Sequence, residues 1–299
     1  MEVITAKIEE AKVVSVGEKL AAYLELSKPR IAFMLVLTAA AGFYLGSAKG
    51  FDVALFVNMV VGITFLAFGV ATLNQVWERE SDALMERTAN RPLPTNKVSF
   101  IEALIFGISL CLVSEIYLAV LVNTLTAVLG LVVIVGYVLL YTPLKSRTSA
   151  STAIGAIPGA LPPLMGFTAA ANDITLGAWT LFVILFLWQF PHFLAIAWMY
   201  KEQYAKAGIK MLPVIEPSGK ITARQIVIFT VLLLPVSLAP YFLGMAGVVY
   251  LIGASLLGLW FLAASIKAAR AKSVEQARKL LLVSVIYLPL LFALMVLNH

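Results

Sequence analysis

Charge is scarce in this sequence. Lys, Arg, Asp and Glu make up 13% of its 299 residues, against roughly 25% in soluble globular domains. That deficit argues against a water-soluble fold. Cysteine is almost missing as well. Cys111 stands alone inside an apolar run, so an intrachain disulfide is excluded and plain packing is its default role. No cleavable signal is evident, because the first 30 residues mix Lys with Glu and lack an apolar centre. What the chain has instead is hydrophobic residues, 61% of the total, with a mean hydropathy of +0.96. The expected class is an all-α, polytopic integral membrane protein. The net charge of +6 does not point to nucleic acid, because the basic residues are distributed by membrane topology.

A membrane-crossing helix needs about 20 apolar residues. Nine runs qualify, at residues 31–48, 53–75, 99–121, 124–142, 151–171, 177–199, 224–245, 247–266 and 280–298. Only Val122 and Asn123 separate the third from the fourth, which predicts a tight hairpin. Another turn falls at residues 245–247. With these spans, every one of the 22 Lys and Arg residues except Lys49 lies on one side. Basic loops stay cytoplasmic, so the amino terminus and the four charged loops are expected in the cytoplasm of a cell whose inner membrane holds the chain. Residues 1–299 are expected to form one membrane-embedded domain, with residues 1–30 as a cytoplasmic leading segment. Within that segment, residues 21–26 with Lys19 and Lys28 fit a helix lying on the membrane surface. Residues 1–17 read equally as a frayed end.

The most informative polar stretch follows the second span, at residues 74–92. Apolar periodicity carries the helix on through Asp82 without Gly or Pro. Asn74, Glu78 and Asp82 then fall on one slowly drifting face, about 6 Å apart in rise. Oxygen ligands at that spacing suit one or two hard cations such as Mg²⁺, with phosphate oxygens and water completing the shell. Arg87 and Arg91 follow, and their planar forks match phosphate oxygens. Arg79 and Glu80 point elsewhere on such a helix. The plainer alternative is a solvated helix end with scattered charges. Against it stand the regular spacing, the Arg-Thr-x-x-Arg-Pro tail and the placement of three charged loops on one membrane face.

The other loops contribute further candidates. Tyr141 and Thr142 precede Pro143, which is expected to end the fourth span. Lys145 and Arg147 then serve either a phosphate or topology. Gly155, Gly159, Gly166 and Pro162-Pro163 in the fifth span permit close helix approach, as a cavity wall or as a packing kink. Gln189, Pro191 and His192 are polar or helix-breaking residues within the sixth span. Such intramembrane groups are costly and often functional, though an inter-helix hydrogen bond explains them equally. Beyond that span, Glu202 is positioned to complete a second cation site, with Lys201 either beside phosphate or paired to Glu202.

On these residues the chain resembles the protoheme IX farnesyltransferase (heme O synthase) family of UbiA-type intramembrane prenyltransferases. The resemblance runs from Leu26-Ser-Lys-Pro-Arg30 to the ninth span. Its most specific motif falls on Asn74, Glu78, Asp82, Met85, Arg87, Thr88, Arg91 and Pro92. Further matches are Tyr141, Thr142 and Lys145; Gly159 to Pro163; Pro191 and His192; and Ala207 to Pro213. There are three departures. Glu78 stands where the family usually has Asp, the acid expected before Tyr204 falls on Gln203, with Glu202 adjacent, and an Asn common after the basic loop falls on Ser151.

The resemblance implies nine transmembrane helices enclosing a central cavity and Mg²⁺-dependent transfer of a farnesyl group from farnesyl diphosphate to heme B. It implies Asn74, Glu78, Asp82 and Glu202 as catalytic metal-side residues. Arg87, Arg91, Lys145, Arg147, Lys201 and Tyr141 would bind diphosphate. His192 is a candidate for contact with the heme, its iron or a proton-transfer step, beside the plain inter-helix bond. Membrane lipid, and a heme A synthase or terminal oxidase as assembly partner, belong to the same expectation. Two other readings remain: a UbiA-type enzyme acting on an aromatic quinone precursor, and a transporter. A transporter predicts inverted repeats and deeply buried charges, and no convincing repeat is visible.

Overall fold

Short polar side chains set where most of the long helices begin. Asp52, Ser99, Asn123, Thr175 and Ser273 each accept a backbone N–H from the turn that follows, which satisfies one of the unpaired donors at a helix start. The computed structural model describes residues 15–48 and 50–299. The expectations for residues 1–14 and Lys49 lie outside these residues. The helices are α1 Val16–Leu26, α2 Pro29–Gly46, α3 Val53–Ala83, α4 Phe100–Leu121, α5 Thr124–Ile134, α6 Thr142–Leu144, α7 Ser151–Ala171, α8 Leu176–Met199, α9 Lys201–Lys206, α10 Leu212–Ile215, α11 Lys220–Phe242, α12 Val248–Ala271 and α13 Val274–Leu297. A π-helical segment, Val135–Tyr141, joins α5 to α6. Among the described residues nine helical spans are long and apolar enough to cross a membrane. The chain is an all-α, multi-pass membrane protein.

Three sequence expectations need correction. Pro143 does not end the fourth span. The π-helical turn before it widens the hydrogen-bonding pattern, so that the Thr142 N–H and Oγ1 both donate to Tyr137 O, the latter at 2.8 Å. Pro143 then sits in the first turn of α6, where its missing N–H costs little. The seventh and ninth spans begin earlier than their apolar runs, at Lys220 and Val274, because helices continue past the hydrocarbon edge where long charged side chains reach water. Residues 15–17 are not frayed. Ser15 and Glu18 form a reciprocal capping box that starts α1.

α1 lies across one end of the bundle. Ala22 and Leu26 are buried against Val76, Leu93, Val98 and Ala103, and Lys19 pairs with Glu102 of α4. Val16, Leu20 and Leu24 form an exposed apolar stripe on its other side. That division suits a helix resting on a bilayer surface.

α7 and α8, the two most buried spans, pack on each other, while α4 lies mainly against α3 and α5 and α12 mainly against α11 and α13. α2 lies against α3 and α7, while α8 packs on α7, α11 and α13. Between spans, hydroxyls hold neighbours together. Ser114 Oγ donates to Gly62 O at 2.8 Å, Thr126 and Thr168 share a bond of 3.0 Å, and Ser237 and Tyr287 share one of 2.7 Å. In lipid, where apolar burial between helices gains little, such bonds and close packing supply the cohesion.

Small residues bring α2 and α7 together. A Cβ on Gly166 would overlap the Ala39 carbonyl, and one on Gly42 would overlap the Pro163 carbonyl. Both obstacles are backbone and cannot rotate away. Gly166→Val is therefore expected to destabilise the bundle by about 1–3 kcal/mol or more, read as a lower thermal midpoint in detergent. An unchanged midpoint would mean that α2 and α7 are not so close.

Candidate active site

α3 extends beyond its apolar run to Ala83, so Asn74, Glu78 and Asp82 project from consecutive turns of one helix. Asn74 and Asp82 are buried, and Glu78 is 13% exposed. The reading of this stretch as scattered surface charge is excluded.

Each of the three side chains meets a partner from a different segment. Lys28 Nζ donates to Asn74 Oδ1 at 2.9 Å, and Asn74 Nδ2 donates to Thr142 Oγ1 at 3.2 Å. Lys145 Nζ contacts Glu78 Oε1 at 2.6 Å, and its ammonium also lies 4.4 Å from the centre of the Tyr141 ring. Arg91 Nη1 contacts Asp82 Oδ2 at 2.6 Å. The turns of residues 84–99 carry Arg91 back to Asp82, pinned by the Thr88 hydroxyl donating to Asp82 O at 2.8 Å.

The third loop closes onto the other two. Arg87 N donates to Gln203 Oε1 at 3.3 Å, the Arg87 guanidinium carbon lies 5.2 Å from the Tyr200 ring centre, and Lys210 N donates to Lys145 O at 2.8 Å. Loops far apart in sequence thus meet at one end of the bundle.

Other expected residues lie outside this cluster. Glu202 and Arg147 are exposed and make no ion pair among the described residues, and Lys201 makes none either. Gln203, not its neighbour Glu202, reaches the first loop. Arg79 pairs with Glu80 at 3.3 Å and sits over the Phe100 ring, away from the cluster as expected.

Lys28 was not foreseen as a site residue. It adopts a left-handed conformation (φ 48°) immediately before Pro29, a costly arrangement for a residue with a side chain. The Lys-Pro pair at the start of a span is its only trace in the sequence. Burial, reinforced by nearby Arg91, lowers the Lys28 pKa to about 7. A bound anion would favour its charged form. Lys145 behaves in the opposite way. Burial opposes its charge, but the Glu78 carboxylate outweighs that cost and raises its pKa well above the usual lysine value.

Each carboxylate uses one oxygen in its ion pair. Glu78 Oε2 and Asp82 Oδ1 carry no hydrogen bond among the described residues. With the Asn74 amide oxygen they offer hard oxygen donors of the kind Mg²⁺ takes. No three acidic, His or Cys side chains gather tightly enough among the described residues to enclose an ion. Phosphate oxygens and water would complete the coordination, as is usual for Mg²⁺.

Below the cluster opens a cavity of about 970 Å³. Lys28, Tyr137 and Tyr141 line it at the polar end. Gly155, Pro158, Gly159 and Pro162 form the α7 wall, so the small and proline residues of that span shape a cavity. Gln189 and His192 line the α8 side. The rest is mainly aliphatic and aromatic, including Leu35, Ile63, Leu185, Phe193 and Leu288. A volume of this size suits a large apolar ligand.

Because Glu202 is exposed and unpaired, Glu202→Gln is expected to change turnover by no more than about twofold, whereas Gln203→Ala loosens the bond to Arg87. Steady-state rates of the two variants separate the positions. A large loss confined to Glu202→Gln would restore Glu202 as a ligand.

Residues 35–293 match the UbiA prenyltransferase family. The chain is 48% identical over 286 residues to a protoheme IX farnesyltransferase of Solibacter usitatus, covering 93% of this chain and 98% of that protein. It is 45% identical over 278 residues to a protoheme IX farnesyltransferase of Myxococcus xanthus, covering 92% and 94%. In fold it is similar to a digeranylgeranylglyceryl phosphate synthase (TM-score 0.77, 20% identity, 94% of this chain and 98% of the other). A UbiA homolog from Archaeoglobus fulgidus solved with GPP and Mg²⁺ is a further neighbour (TM-score 0.66, 19% identity, 92% and 99%). A chain matched over nearly its whole length, with a buried carboxylate row above an apolar cavity, belongs to the UbiA prenyltransferase family and groups there with the protoheme IX farnesyltransferases.

Proposed function

We propose that this protein transfers a farnesyl group from farnesyl diphosphate to a vinyl group of heme B, giving heme O and diphosphate. The observation that carries the reading is the row Asn74, Glu78, Asp82, each faced by a cation or hydroxyl from another segment and joined through Lys28 and Tyr141 to a large apolar cavity. The names of the two relatives in sequence described above supply the acceptor.

In this proposal Asn74, Glu78 and Asp82 hold Mg²⁺, a role supported by the free oxygens of Glu78 and Asp82 and by the Archaeoglobus fulgidus neighbour's ligands, with Asn74 Oδ1 exchanging its bond from Lys28 for the metal. The ion would neutralise charge on the diphosphate as it leaves. Lys145 and Arg91, now paired to the carboxylates, turn towards phosphate oxygens when the carboxylates take the metal, and Lys28 and Arg87 add donors. The C–O bond of farnesyl diphosphate breaks, and fixed positive charge stabilises the departing oxygen. The vinyl terminal carbon forms the new C–C bond to the farnesyl cation. Water adds to the remaining cationic carbon and loses a proton, which leaves a hydroxyethylfarnesyl group. The apolar cavity holds both substrates and keeps bulk water from the first cation. Arg147, Lys201 and Glu202 have no partner in the cluster among the described residues and take no part in these steps.

We extend the proposal to location: the inner membrane, with the cluster on the cytoplasmic side, on the strength of the Lys and Arg distribution. An assembly partner, heme A synthase or a terminal oxidase, would receive the product. Acceptor competition tests the substrate. Purified protein given heme B together with an aromatic quinone precursor is expected to prenylate the heme alone. Prenylation of the aromatic acid in preference to heme would favour the quinone-type alternative.

A further inference from the structure

His192 sits eight residues before Tyr200 on α8, so it lies about 12 Å deeper along the helix axis than the ring beside Arg87. Its side chain lines the apolar cavity, and its surroundings specify how the ring is held. His192 Nδ1 lies 2.8 Å from Ser284 Oγ of α13. The Ser284 hydroxyl donates its proton to Leu281 O at 2.6 Å. A hydroxyl has one hydrogen, so Ser284 must accept from His192, and the imidazole proton is on Nδ1. Nε2 then carries the lone pair.

That nitrogen has no protein partner among the described residues, and it is not one of the buried unpaired polar atoms. It is open to the cavity. The ring is also fixed in plane. Trp188 stacks on it with centroids 4.5 Å apart and 25° between planes, and Trp188 Nε1 donates to Ser284 O at 2.9 Å. Both anchors of the imidazole therefore run to Ser284. The thioethers of Met34, Met165 and Met211 also line the cavity, but no hydrogen bond orients them.

The geometry points to His192 Nε2 as an axial ligand of the iron in the heme substrate, with Ser284 as the positioning residue that fixes the ligating tautomer and Trp188 as the brace that fixes the ring. An imidazole that donates its second N–H to a fixed acceptor is how metal-ligating histidines are usually held, and neutral imidazole suits iron. A tether at this depth hangs the macrocycle from α8 below the polar cluster, with its rim free to approach the prenyl chain. The inference rests on heme being the acceptor.

The test is optical and vibrational, without farnesyl diphosphate. Purified wild-type protein in detergent is mixed with heme B, and the Soret band and the ferrous Fe–N(His) stretch are recorded. The expected result is a histidine-ligated spectrum that His192→Ala loses and added imidazole restores. Ser284→Ala is expected to keep ligation but shift the Fe–N(His) stretch and weaken heme affinity about 10–100-fold. It also serves if His192→Ala fails to fold. Heme bound by His192→Ala with the wild-type spectrum would overturn the ligand while leaving heme as the acceptor. A folded wild-type protein that binds no heme would overturn both.

Discussion

Asp82→Asn is expected to reduce farnesyl transfer by about 10²–10³-fold or more, with the protein still inserted and folded. Asp82 is buried at the end of α3, and its Oδ2 is 2.6 Å from Arg91. The amide keeps the volume but removes the charge. In the proposed mechanism this costs a metal ligand and the charge that steers Arg91. Arg91 is 19% exposed, so its guanidinium can reach water in the variant, which limits the stability loss. Heme O formation per mole of folded protein, with yield from the membrane fraction as control, checks the expectation. A wild-type rate would remove Asp82 from the metal site.

The second large effect concerns Lys145. It is 16% exposed and its partner Glu78 is 13% exposed, at 2.6 Å. Lys145→Met leaves Glu78, a mostly buried carboxylate, without its ion-pair partner and with only the more distant Lys28 and Arg91 charges, a change that typically costs about 3–5 kcal/mol. The thermal midpoint of the metal-free protein should fall accordingly. Mg²⁺ should then recover part of the loss, because a ligand that binds only the folded form stabilises it, by about 2.7 kcal/mol at a hundredfold excess over its Kd. The expected signature is a larger Mg²⁺-induced rise in midpoint for Lys145→Met than for the wild type. A fall that Mg²⁺ leaves untouched would place Glu78 away from the metal.

Patterns repeated along the chain made much of this legible in the sequence. Runs of apolar residues marked the nine spans, and the four-residue spacing of Asn74, Glu78 and Asp82 marked a helix continuing past the membrane edge. Helix ends were less legible, since the apolar runs start only at Arg224 and Leu280 while the helices begin at Lys220 and Val274. Pro143 misled because a π-turn, invisible in composition, absorbed it. Partners across the bundle were the least legible. Lys28 is 46 residues from Asn74 in sequence, and nothing local to it specifies that contact. Ser284 reads as filler in an apolar run until the fold brings it to His192. The choice between Glu202 and Gln203 turned on the phase of α9, a helix of six residues that periodicity cannot resolve.

The central claim is that the carboxylate row on α3 holds Mg²⁺ to ionise farnesyl diphosphate for attack by heme. Purified protein with heme B and farnesyl diphosphate, titrated with Mg²⁺ and then with chelator, tests it directly. The prediction is heme O and diphosphate formed in equal amounts as Mg²⁺ is added, and a halt on chelation. Heme O formed at an undiminished rate in excess chelator, or none from folded protein with saturating Mg²⁺, would contradict it.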